Sequence, residues 1–430
     1  MERLLRKAKA LKGEITPPAD KSISHRAVMF ACMAEGHSRI KNFLWAKDPL
    51  SSLTAMRSLG AEIQITQAKE IMVNAKGLHS LKEPENVIDC GNSGTTIRLL
   101  SGILAGQPFL SVLTGDDSLR QRPMRRIIEP LRLMGANIMG RAENTLPPLV
   151  IKGGHLKAIN YSMPIASAQV KSAILLAALF AEGETSVTEP HKSRDHTEKM
   201  LKSMGVELEI NNNTIKITPP EHPLKPFDIV IPNDFSSAAF FIAGACLVSG
   251  SEIIIKNVCL NETRTGFIEV LKSMGANIEI FNLKEQAGEP VGDISVKTAS
   301  ALKAVSVQGE IIPRLIDEFP VLCVVATQAE GTTVIKDAKD LRAKESDRIK
   351  AMTTELSKMG VSIKEFEDGV EIKGPCRLKG ARVYSYKDHR IAMALSIAAL
   401  IAQGETVIKD ADCVDISFPE FYSLLEMLQR

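Results

Sequence analysis

Aromatic residues are scarce. Phenylalanine, tyrosine and tryptophan together make up 4% of the 430-residue chain, and there is one tryptophan. Few rings leave few platforms for base stacking, and a formal charge of +2 provides no basic field for a phosphate backbone. Nucleic acid is therefore not an expected partner. Cysteine is sparse as well: seven residues, with no C-x-x-C pair and no clustering with histidine. That usage points to reduced thiols in a cytoplasm-like compartment and away from a zinc site. Long apolar runs are missing. No uncharged stretch is longer than Phe235 to Ser251, which is short and diluted by Ser and Gly, so it reads as a buried helix rather than a membrane span. Met1 to Lys7 has no apolar h-region, and no export signal is expected. GxxxxGK[ST], GxGxxG after a strand, and a Ser-His-Asp elbow are also lacking, which leaves NTPase, dinucleotide-binding and hydrolase readings without their motifs.

What is present is a repeat. With 44% hydrophobic and 24% charged residues the chain is globular in composition, and its length favours two or more domains. An apolar helix ending in glycine and followed by a β-rich run occurs six times: Ala27 to Gly36, Thr96 to Gly106, Val170 to Gly183, Ala238 to Gly250, Val321 to Gly331 and Ile391 to Gly404. Between these lie amphipathic helices closing on a Met/Leu-Gly pair before a strand, as in Leu59-Gly60, Met134-Gly135, Met204-Gly205, Met274-Gly275 and Met359-Gly360. Tyr422 to Leu428 resembles a last copy cut short by the end of the chain. The glycines of both helix types are read as C-caps, since glycine takes the left-handed conformation without a Cβ penalty. The period, about 70 to 85 residues, exceeds that of solenoids and makes each copy a small α/β unit. The fold class is α/β (α+β), with inner apolar helices covered by sheets and outer helices. Proline-rich joints near 15–20 and 230–236 place three units on each side. Domain I is then 1–15 plus 234–430, domain II is 16–233, and the N-terminal strand belongs to domain I.

The starts of the inner helices carry unusual charge. They read Asp20-Lys21-Ser22-Ile23-Ser24-His25-Arg26, Gly91-Asn92-Ser93-Gly94-Thr95, Ser167-Ala168-Gln169, Asp234-Phe235-Ser236-Ser237, Asp317-Glu318-Phe319-Pro320 and Lys387-Asp388-His389-Arg390. Unpaired N–H groups and the helix dipole favour anions there, so Lys21, Arg26 and Arg390 break a local rule that a bound anion would restore. Arg122 is placed just ahead of a helix opening at Pro123, and Lys344 and Arg348 are placed on one helix face, where like charges at that spacing repel. Solvated faces with local pairs, Glu345 to Arg348 and Glu129 to Arg125, would account for each segment taken alone. Together the segments describe a site for more than one anionic group. Asp317 and Glu345 are the acid/base candidates, with a helix cap the alternative for Asp317 and a plain ion-pair partner the alternative for Glu345. His25 and His389 are read as structural donors to backbone.

These segments, with Gln121-Arg122-Pro123-Met124 and Lys344-Glu345-Ser346-Asp347-Arg348, resemble the enolpyruvyl transferases from end to end. The resemblance implies two domains of three βαβαββ units that close over substrate. It implies transfer of the enolpyruvyl group of phosphoenolpyruvate to the 5-hydroxyl of shikimate 3-phosphate in aromatic amino-acid biosynthesis, without metal or organic cofactor, by a cytoplasmic monomer. By matching position, Lys21, Ser22, Arg26, Ser167, Ala168, Gln169, Arg194, Asp317 and Lys344 would meet shikimate 3-phosphate. Lys21, Asn92, Gly94, Arg122, Gln169, Arg348 and Arg390 would meet phosphoenolpyruvate. Asp317 would take the hydroxyl proton, and Glu345 or Lys21 would protonate the methylene carbon. The chain departs from some members at Ile416, where they carry a lysine before Ser/Thr-Phe-Pro, so that contact must be absent or replaced.

Ser22 after Lys21, and the lack of cysteine in Asp116 to Arg122, argue against the sister enzyme acting on UDP-N-acetylglucosamine. An RNA 3′-phosphate cyclase would want a catalytic histidine arrangement and a more basic surface. A phosphometabolite sensor would keep the arginines without needing Asp317 or Glu345. Gly94 stands where herbicide-insensitive relatives carry alanine, so inhibition by glyphosate is expected.

Overall fold

Described over residues 1–429, the computed structural model divides the chain into two compact units, Ala19–Ile231 and Met1–Pro18 with Pro232–Arg430. Each contains three copies of the repeat. The inner helices are Lys21–Ala31, Gly94–Ala105 and Ala168–Ala178 in the first, and Phe235–Leu247, Phe319–Ala326 and His389–Ala399 in the second. Their sequences have apolar or small residues on every side, and burial follows: in Gly94–Ala105 all but Thr95 are buried, and in His389–Ala399 all are. Each fully buried Leu or Ile contributes about 1.5–3 kcal/mol, so these helices are the centres around which the units assemble. The outer helices, such as Arg125–Leu133 and Arg348–Lys358, bury one stripe and leave Lys, Arg and Glu at the surface.

Six of the seven sheets share one plan, the seventh being the two-stranded pair Leu156–Lys157 and Ala181–Glu182. The strand leaving an inner helix lies between a parallel neighbour and one strand of an antiparallel hairpin. In the first unit Glu35–Lys41 pairs antiparallel with Ile71–Lys76, and in parallel with Asp228–Val230 from the far end of the same unit. The unit thus closes on itself. The second closes with strands from the beginning of the chain: Lys12–Ile15 runs parallel to Glu252–Cys259, and Arg3–Arg6 runs antiparallel to Glu405–Lys409. The sixth copy ends in helix Phe421–Leu428, and Arg3–Arg6 provides the strand that its hairpin would have supplied. Phe421 packs against Phe241 and Phe418, with ring centroids 5.6 and 5.7 Å apart, and so fastens this last helix to the inner helix Phe235–Leu247.

The glycine reading holds for one helix type and fails for the other. Outer helices end with Gly60, Gly135, Gly205, Gly275 and Gly360 at φ between +80° and +99°, one residue past the cap. The Gly135 and Ala136 N–H groups bond the Arg132 and Leu131 carbonyls, which satisfies acceptors the helix end exposes. Inner helices stop on ordinary right-handed or extended residues, including Cys32, Leu179, Thr327 and Leu400. Gly106 is a cap but has φ −92°, and its constraint is space: a Cβ there would lie 2.2 Å from the Phe180 ring. Gly36 lies beyond its helix, inside the strand Glu35–Lys41.

Among the described residues no helix is long and apolar enough to cross a membrane, and the Phe235 run forms a buried helix of 13 residues. All seven cysteines are free.

Candidate active site

The first unit brings three inner-helix starts together through side chains. Asp20 caps the first helix by accepting from the Ile23 N–H at 2.9 Å, and Lys21 follows as its first residue. Lys21 Nζ meets Asp48 Oδ2 at 3.0 Å, while Asp48 Oδ1 is buried without a hydrogen-bond partner. His25 Nδ1 lies 2.6 Å from Ser52 Oγ, which is 2.8 Å from Thr96 Oγ1 near the start of the second inner helix. Its partner is therefore a side-chain hydroxyl and not the backbone. Burial, then Lys21 and Arg26, pull the His25 pKa well below its usual range, so the ring is neutral. Arg26 donates to Thr197 Oγ1 at 2.7 Å, Ser172 Oγ at 2.9 Å and the Ser22 carbonyl at 3.0 Å, tying the first helix to both helices of the third repeat.

Around the second helix start, Arg122 donates to the Asn92 carbonyl and side-chain oxygen at 3.0 and 2.6 Å and to Ser118 Oγ at 3.2 Å. Arg98, one turn into the helix, donates to Gln169 Oε1, and Gln169 donates to Thr95 Oγ1 at 2.9 Å. A Cβ on Gly94 would lie 2.9 Å from one Arg98 nitrogen and 3.2 Å from one of Arg122. Absence of a side chain at Gly94 thus keeps space for two guanidinium groups. Ser167 is the N-cap residue of the third helix, but its hydroxyl makes no capping bond, and Ala168 and Gln169 open the helix. Arg194 lies in the segment leading into helix His196–Ser203.

The second unit holds a different cluster. Arg348, the first residue of its helix, is buried and meets three carboxylates: Glu345 at 2.6 Å, Asp388 at 2.9 Å and Asp317 at 3.2 Å. Burial opposes the charged guanidinium, but Asp388, Glu345 and Asp317 outweigh it and leave Arg348 more firmly protonated than usual. Arg390 reaches the other Asp317 oxygen at 3.3 Å. Asp388 caps the helix by accepting from the Arg390 N–H at 2.9 Å, and also accepts from Ser346 Oγ at 3.1 Å.

Three local expectations are corrected. Asp317 is not a cap, because Glu318 takes that position without a side-chain bond and Asp317 instead lies between two arginines. Lys344 does not share a helix face with Arg348: it is extended, pairs with Asp340 at 2.9 Å, and the helix begins only at Arg348. The helix after Arg122 starts at Arg125, so Pro123 precedes it by two residues. The local pairs Glu345 to Arg348 and Glu129 to Arg125 both form, at 2.6 and 3.7 Å. Asp48, Arg98 and Asp388 complete the clusters without having been singled out in the sequence. Arg98 carried a signal, as a cation in an otherwise apolar helix four residues after Gly94. Asp388 was masked by the frequency of Asp caps, and Asp48 gave none.

Cationic helix starts in a twice-three-repeat architecture define the enolpyruvyl transferase fold, and the solved structures agree. The backbone is similar to an EPSP synthase from Acinetobacter baumannii, with TM-score 0.87 and 44% identity over 99% of this chain and 98% of that one. It is also similar, at 16% identity and TM-score 0.79, to the enolpyruvyl transferase NikO from Streptomyces tendae over 99% of this chain and 96% of that one, a likeness of fold. The family model for EPSP synthase (3-phosphoshikimate 1-carboxyvinyltransferase) matches residues 5–425. Proteins named 3-phosphoshikimate 1-carboxyvinyltransferase from Thermodesulfovibrio yellowstonii and Syntrophomonas wolfei are 79% and 51% identical, each over 100% of both chains. The chain belongs to the EPSP synthase family.

Proposed function

We propose that this protein transfers the enolpyruvyl group of phosphoenolpyruvate to the 5-hydroxyl of shikimate 3-phosphate and releases phosphate. Beyond family membership, the observation that carries the reading is the buried Arg348, with Asp317 and Glu345 on its guanidinium and Arg390 on the far oxygen of Asp317. That arrangement offers cations to a carboxylate or phosphate and two carboxylates to move protons. Lys21, Asn92, Gly94, Arg122, Gln169, Arg348 and Arg390 hold phosphoenolpyruvate in this reading. Lys21, Ser22, Arg26, Ser167, Ala168, Gln169, Arg194, Asp317 and Lys344 hold shikimate 3-phosphate.

The chemistry follows from those roles. Glu345 or Lys21 gives a proton to the methylene carbon, the 5-oxygen attacks the neighbouring carbon, and Asp317 takes the hydroxyl proton. The tetrahedral intermediate then loses phosphate and one methyl proton, which restores the double bond. Holding two anionic reactants in attack geometry and stabilising their charge accounts for the rate. The groups come from both units, so substrates should change the relation between the units. Small-angle scattering curves that coincide with and without both ligands would refute that. The reading places the enzyme in the cytoplasm as a monomer, an assembly state that sedimentation tests.

The direct test mixes purified protein with the two substrates and assays free phosphate. A phosphometabolite sensor is separated from an enzyme by Asp317→Asn: an enzyme loses turnover while still binding both ligands, and a sensor has no turnover to lose.

A further inference from the structure

Beneath the segment that carries Arg194 lie three charges that the mechanism does not use. Lys171, on the inner helix Ala168–Ala178, is 1% exposed, and its ammonium meets Glu189 at 2.8 Å and Glu198 at 2.6 Å, themselves 1% and 2% exposed. Replacing such a group with apolar side chains of equal volume is often neutral or favourable, so stability alone does not explain it. What the group does instead is hold Ser193 by every polar group that residue has. The Ser193 N–H donates to Glu189 Oε2 at 2.8 Å, its hydroxyl donates to Glu189 Oε1 at 2.7 Å, and its carbonyl accepts from Lys171 Nζ at 3.3 Å. Ser193 is the residue before Arg194. Lys171 is also one turn into the helix that begins at Ala168 and Gln169, and its own N–H bonds the Ser167 carbonyl at 3.0 Å. One ammonium therefore references Arg194 to Ser167 and Gln169, so three residues of the proposed shikimate 3-phosphate site share a single frame.

We infer that Lys171, with Glu189 and Glu198, is a positioning residue that presents Arg194 to the phosphate of shikimate 3-phosphate. The inference rests on the proposed function, in which Arg194 is among the residues that hold shikimate 3-phosphate. Burial pushes the Glu198 carboxyl up, and Glu198 Oε2 is buried without a partner, so the group accommodates its surplus negative charge beside Lys171.

The experiment measures binding of shikimate 3-phosphate and of shikimate, which lacks the phosphate, to the full chain by calorimetry. Arg194→Ala should weaken shikimate 3-phosphate about tenfold or more and leave shikimate unchanged. Lys171→Met should do the same, and in the Arg194→Ala background it should add nothing. Lys171→Arg should restore part of the loss. Independent, additive losses in the double variant, or equal weakening of both ligands, would overturn the inference. If Lys171→Met does not fold, Ser193→Ala decides: severalfold weaker shikimate 3-phosphate with unchanged shikimate supports the inference, and no change overturns it. Wild-type protein that releases no phosphate from the two substrates overturns the functional reading itself. Wild-type turnover with phosphate-selective loss in Arg194→Ala but none in Lys171→Met overturns the inference alone.

Discussion

The two charged clusters use arginine in opposite ways. In the unit Ala19–Ile231, Arg122 and Arg98 rest on amide and backbone oxygens from Asn92, Gln169 and Pro123. In the other unit, Arg348 is ringed by the carboxylates of Asp317, Glu345 and Asp388. Amide and carbonyl oxygens orient a guanidinium through its N–H groups. Carboxylate partners offset part of the charge and are themselves oriented by it. In the proposed reading both clusters meet the anionic substrates and the second also places the acid/base groups Asp317 and Glu345, although one repeated fold assembles both at helix starts.

The comparison makes its largest claim at Asp317. Asp317→Asn should lower turnover by about 10²–10⁴-fold with binding retained, as steady-state kinetics and calorimetry would show. A variant within severalfold of wild type would remove the acid/base role from the second cluster. Next comes stability. Arg348→Met leaves three carboxylates without their shared cation and should cost about 3–5 kcal/mol in urea unfolding. Arg122→Met should raise the KM for phosphoenolpyruvate about tenfold or more. An unchanged KM would remove Arg122 from the phosphoenolpyruvate site. Gly94→Ala crowds Arg98 and Arg122 and should raise the glyphosate inhibition constant and the phosphoenolpyruvate KM, each about tenfold. An unaltered inhibition constant would place the inhibitor elsewhere.

The smallest effect concerns pH. His25 is neutral in the fold because burial and the nearby Lys21 and Arg26 depress its pKa. Below about pH 6.5 the unfolded chain binds a proton that the folded one refuses, so stability is present above that pH and falls as the solution is acidified. The slope from this one group approaches about 1.4 kcal/mol per pH unit. His25→Gln should flatten the difference in urea midpoint between pH 7 and pH 5.

Much of this was legible in the sequence because repetition amplifies weak signals. Six apolar helices in order gave the architecture, and the cations at their starts, Lys21 and Arg390 among them, pointed to the residues that cluster there. The failures were local. Inner-helix glycines were read as left-handed caps because sequence shows the helix stopping but not where: Gly36 already belongs to the strand, and Gly106 is held by the Phe180 ring. Lys344 and Arg348 have helical spacing, yet a short 3₁₀ turn ends at Ala343, Lys344 is extended and the helix begins anew at Arg348. Asp48 could not be found, since its partner Lys21 lies 27 residues away and only the fold joins them.

Strand Arg3–Arg6, which completes the last repeat, sets a timetable for biosynthesis. A ribosome releases Ala19–Ile231 as one uninterrupted block whose sheets find all their strands within it, so that lobe can mature early. The opening residues must stay unpaired until Glu405–Lys409 emerges, several hundred residues later. Chaperones would meet this protein as a finished half trailing an unfinished one.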